Sequence, residues 1–132
     1  MRHRAAKMRT VDDERKLENL RKSLADMAVE SWRLGKVFER MLVKMELSEQ
    51  KRYKSQFRWF LRKTEESLEQ AGLKMVNVEG LPFDAGMAVT ALNVDEFDAD
   101  DVLIVDQMLE PIIMGESGLF RTGTVVLRKP GG

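Results

Sequence analysis

Cysteine is absent from this 132-residue chain, and His3 is its single histidine. The first absence excludes a disulfide framework and thiolate chemistry. The second all but removes a zinc site and any Ser-His-Asp arrangement. No apolar run approaches the roughly 18 residues that a membrane span requires. Met1 to Arg9 carries Arg2, Arg4, Lys7 and Arg9 with no acid, yet lacks the apolar stretch of a secretory signal. An excess of one charge is also missing, because 22 Lys and Arg balance 22 Asp and Glu. That balance argues against nucleic acid as the main partner, since phosphate binding needs a cationic excess on the binding surface. The expectation is a soluble, cytoplasmic protein with no cofactor and no metal, and not an enzyme.

What is present falls into two halves joined at Ala71-Gly72-Leu73. Thr10-Val11-Asp12-Asp13 is a helix start, with Thr10 as N-cap and acids in the first turn. Apolar residues then keep one heptad frame. Leu17, Leu24, Phe38 and Met45 take one seam position, while Leu20, Met27, Leu34 and Met41 take the other. A helix over residues 11–47 would be roughly 55 Å long at ~1.5 Å per residue. The frame slips near Leu47-Ser48-Glu49. Ser48 is a candidate N-cap for a second helix carrying Tyr53, Phe57, Phe60, Leu61 and Leu68, so a helix hairpin is favoured over one kinked helix. Gly72 suits the residue just past that helix, with Leu73 as the hydrophobic contact beyond it. Two helices with such wide apolar stripes call for a second copy, most simply a homodimeric four-helix bundle.

Beyond Gly72, short segments rich in Val, Ile, Leu and Thr predict strands at 73–79, 87–94, 102–109 and 119–129. Pro111 should stop or edge a strand, leaving Ile112-Ile113-Met114 as a brief further one. The predicted class is α+β: a dimeric helical bundle (11–72), then a small antiparallel β domain (73–129), between disordered tails at 1–10 and 130–132. Asp95, Glu96, Asp98, Asp100 and Asp101 lack the spacing of an EF-hand loop and are better read as a solvated acidic loop. Asp84 is read as capping a turn after Phe83. Trp32 and Trp59 fall off the main stripes and suit bundle-edge packing or partner contact.

The order of these features resembles GrpE, the nucleotide exchange factor of DnaK-type chaperones. The residues that carry the resemblance are Leu68 to Gly72 with Leu73, then Gly80-Leu81-Pro82-Phe83-Asp84, and Leu119-Phe120-Arg121 before Thr124-Val125-Val126-Leu127. It spans about residues 11–129 and rests on order and spacing more than on any one motif. The chain differs at Ala85-Gly86-Met87, where the family usually has Pro followed by a His-Glu pair, and at Glu110-Pro111, where a Gly-Tyr pair is usual. About ten residues precede the helix, where the family usually has a long paired stalk. The resemblance implies a homodimer whose β domain binds the ATPase domain of a DnaK-type chaperone and promotes ADP release without covalent chemistry. It also implies partner contacts near Gly72, with Met108, Met114, Arg121 and Val125 as further candidates on the β domain, Met being a flexible contact residue.

Two other functions compete. One is a dimeric scaffold of the same fold that binds another protein through its β domain. The other is nucleic-acid binding through the basic terminus together with Lys51, Arg52, Lys54, Arg58, Arg62 and Lys63.

Overall fold

Thr10 opens the first helix with a reciprocal cap, its hydroxyl accepting from the backbone N–H of Asp13 at 3.0 Å while the Asp13 carboxylate accepts from the Thr10 N–H at 3.4 Å. The computed structural model describes residues 10–131. The expected basic tail, Thr10 apart, and Gly132 lie outside the described residues, whereas Pro130 and Gly131 form a turn. The chain runs α1 (Val11–Leu42), α2 (Leu47–Gln70), β1 (Lys74–Val76), β2 (Val89–Ala91), a short 3-10 turn (Val94–Glu96), β3 (Ile104–Glu110), β4 (Ile112–Gly115), β5 (Gly118–Arg121) and β6 (Gly123–Arg128). It is an α+β protein.

The helices form a hairpin, with Phe38 against Phe57 (ring centroids 5.4 Å) and Leu68 clustered with Ala25, Ala28 and Val29. Here α1 ends at Leu42, earlier than the heptad frame suggests, and the chain reverses through residues 43–46. Ser48 does not cap α2. Glu46 takes the N-cap position without a side-chain bond, and the Gln50 amide instead reaches the Met45 carbonyl at 2.8 Å.

The strands make two three-stranded sheets, β1-β4-β5 and β2-β6-β3. Pairing is antiparallel except between β2 and β6, which run parallel with Val89 opposite Gly123 and Ala91 opposite Val125. Buried Pro111 turns the chain out of β3 in one sheet into β4 in the other. The return crossing splits the predicted 119–129 strand into β5 and β6. Gly123 permits that crossing, because a Cβ there would lie 2.9 Å from the Met108 methyl and 3.0 Å from the Glu110 carbonyl oxygen.

Two apolar clusters hold the layers together. One joins Val78, Leu103, Val105, Met108, Ile112, Val125 and Leu127, with Trp32 of α1 packed on it. The other joins Ala25, Ala28 and Val29 of α1, Leu68 of α2, and Leu73 and Ile113. The β layer therefore shares its core with the helices, as its thin strands require. Polar contacts reinforce the seam. The Trp32 indole donates to the Met108 carbonyl, Arg33 pairs with Glu110, and the Thr124 hydroxyl also donates to Glu110, at 2.8 Å. The Glu79 carboxylate accepts from Lys36 Nζ at 2.5 Å and from the Met108 N–H at 2.8 Å. Burial alone would raise the pKa of Glu79, but the Lys36 ammonium, the Met108 N–H and a smaller contribution from Asn77 outweigh it and hold the carboxyl below its ordinary value.

Candidate functional site

Where α2 meets the β layer, Gly72 sits at φ +73°. Its N–H donates to the Glu69 carbonyl and the Leu73 N–H donates to the Leu68 carbonyl, each at 2.9 Å. This is the Schellman arrangement foreseen from Gly72 and Leu73, and Leu73 is buried in the shared cluster. Arg21 of α1 reaches the same helix end, its Nε donating to the Ala71 carbonyl at 3.3 Å and placing a cation at the negative pole of α2. Above Gly72 lies the β4–β5 turn. Glu116 comes so close that a Cβ on Gly72 would be 2.5 Å from its Oε1.

These elements border an open cleft of about 780 Å³. Its charged lining mixes three acids with three bases, Glu18, Arg21, Lys22, Asp26, Glu116 and Arg121, with Arg121 paired to Asp26 across the gap between β5 and α1. Leu119 and Phe120 supply apolar surface. Among the described residues, Ser117 is the one hydroxyl side chain in the lining, without a histidine or cysteine beside it. Paired charges around apolar side chains suit docking of a protein surface, where complementary signs fix orientation.

Of the residues expected to contact a partner, the cleft unites Gly72 and Arg121. Met114 is partly buried and packs on the sheet core. Met108 and Val125 are not surface residues: both have zero exposure at the centre of that core. Along β6 every second residue turns inward (Gly123, Val125, Leu127), and Met108 stands opposite Val125 on β3. Sequence reasoning missed Arg21, Asp26 and Glu116, whose only signal was their charge on ordinary helix and turn surfaces.

The heptad seam divides in two. Leu17, Leu24, Phe38 and Met45 are half-buried, with Leu24 packed on the shared cluster and Phe38 on Phe57. Leu20, Met27, Leu34 and Met41 stay 51–68% exposed. At 3.6 residues per turn they lie on the side of α1 opposite Ala25, Val29, Trp32 and Lys36, the side that meets the β layer. Beside the line, Leu34, Gly35, Phe38, Gln56, Phe57 and Phe60 border an apolar groove of about 250 Å³.

No helix among the described residues is long and apolar enough to cross a membrane. Comparison with protein-family models, with curated proteins and with solved structures returns no match.

Proposed function

We propose that the chain is a GrpE-like co-chaperone of the cytoplasm that binds the ATPase domain of a DnaK-type chaperone and promotes ADP release. It acts as a homodimer through the exposed line Leu20, Met27, Leu34 and Met41. The observation that carries this reading is the placement of that line opposite the β layer. Two copies joined there would leave both β layers and both junction clefts facing outward. The motif order of the sequence supplies the kind of partner, and the mixed-charge cleft around Gly72 and Arg121 supplies a docking surface of the right chemistry. Exchange needs no reacting group on this chain. Binding the open, nucleotide-free state of the ATPase more tightly than the closed one releases nucleotide by that difference in affinity.

The test is release of a fluorescent ADP from DnaK-type ATPase domains mixed with excess unlabelled nucleotide. Addition of this protein should raise the release rate, and Arg121→Glu should lower the gain. An unchanged rate for every chaperone encoded in the same genome would refute the exchange reading and favour the scaffold of the same fold.

A further inference from the structure

We infer that the solvent face of α2 is a track for single-stranded nucleic acid, with Lys54, Arg58 and Arg62 meeting phosphates and Trp59 offering a stacking surface. Overall neutrality hides a strong separation of charge. From Lys51 to Thr64 there are six basic residues and no acid, while five acids gather between Asp95 and Asp101 in the β layer. All six bases are exposed.

The arrangement works against the helix that bears it. Lys54, Arg58 and Arg62 stand four residues apart, so like charges face one another on successive turns. Glu49 suits the first turn of α2, but the last turn carries Glu69 and no base, the reverse of what the helix macrodipole favours at that end. A face kept only for solubility would interleave its signs. That is what α1 does, with Glu18–Arg21, Glu30–Arg33 and Lys36–Glu39 pairs. Among the described residues Lys63 alone of the six forms an ion pair, with Glu66 at 3.4 Å.

Trp59 lies among these bases and is 58% exposed, with the Lys63 ammonium 5.7 Å from its ring centroid. An exposed indole between phosphate-binding side chains is the combination that holds an unpaired base. An anionic membrane would attract the same cations. Between Lys51 and Lys63, however, Trp59 and Phe60 are the only exposed large apolar side chains, and Phe60 turns towards the groove with α1, which leaves too little to seat a helix in the acyl boundary.

The experiment is fluorescence anisotropy of a labelled oligouridylate titrated with the full chain at several salt concentrations, alongside sedimentation with phosphatidylserine vesicles. Binding should appear at low salt and fall by about 0.7 log units per log unit of salt for each phosphate contacted. Arg58→Gln with Arg62→Gln should weaken it at least about tenfold, and Trp59→Ala at least about fivefold, with unchanged circular dichroism. Trp59→Phe should retain most of the affinity. No binding at low salt, equal binding by the Arg58→Gln/Arg62→Gln variant, or capture by vesicles without binding to oligouridylate would each overturn the assignment.

Discussion

The indole Nε1 of Trp32 donates a hydrogen bond of 2.6 Å to the main-chain carbonyl of Met108, tying the middle of α1 to the middle of β3. Trp32→Phe keeps most of the ring packing and removes the donor. We expect a loss of about 1–2 kcal/mol in urea denaturation, the usual cost of leaving a largely buried carbonyl without its partner.

At Gly72, alanine would meet both the left-handed backbone and the Glu116 side chain. Gly72→Ala should destabilise by about 1–3 kcal/mol, whereas Gly72→Asn should cost less because asparagine tolerates that region. Comparing their urea midpoints separates backbone conformation from crowding. Equal losses in the two variants would show that Glu116, rather than the turn, sets the requirement.

Glu79 gives the fold an acid limit. Its folded pKa lies below the ordinary value, so its contribution is fully present above the unfolded carboxyl pKa and disappears as pH falls through the folded one. Glu79→Gln should therefore be less stable than the parent by about 1 kcal/mol near neutrality. The gap should narrow below about pH 4.5. Stability measured across acidic pH for both proteins reads the difference.

Met108→Ala should behave as a core deletion, costing about 2–5 kcal/mol. Val125→Ala should be similar in kind and smaller, since fewer atoms are removed. Both effects belong to thermal or chemical unfolding. A variant that lost partner binding with its stability unchanged would contradict the burial of these side chains.

For the exposed line on α1, Met27→Glu with Leu34→Glu should convert a dimer to a monomer in light scattering and sedimentation, with helix content retained. Each such apolar side chain, fully covered, contributes about 1.5–3 kcal/mol to association. If the unaltered chain is already monomeric at micromolar concentrations, the dimeric arrangement fails.

Local chemistry was legible wherever a few neighbouring residues settle the outcome. Thr10 with Asp13, Gly72 with Leu73, and Asp84, whose carboxylate accepts from the Gly86 N–H at 3.0 Å, each occupy their expected roles. Pro111 likewise separates two strands. Features decided by distant contacts were not legible. Val125 and Met108 alternate in sequence like half-exposed strand residues, but α1 and the second sheet cover what would otherwise be their open side. The reversal of the chain after Leu42 carries no glycine or proline, so only the meeting of Phe38 with Phe57 reveals its place. Nor could spacing indicate that β2 would lie parallel to β6, because that pairing joins segments far apart in the chain. Arg21, Asp26 and Glu116 gained their significance from convergence alone.

β6 follows both of its neighbours in the chain yet is the middle member of its sheet, with β2 on one flank and β3 on the other. On the ribosome those flanking strands emerge with no centre to join, and their apolar sides remain open until the residues through Arg128 have cleared the exit tunnel. A message cut short before Gly123 would keep the hairpin and the β1-β4-β5 sheet but leave β2 and β3 as two orphaned edges.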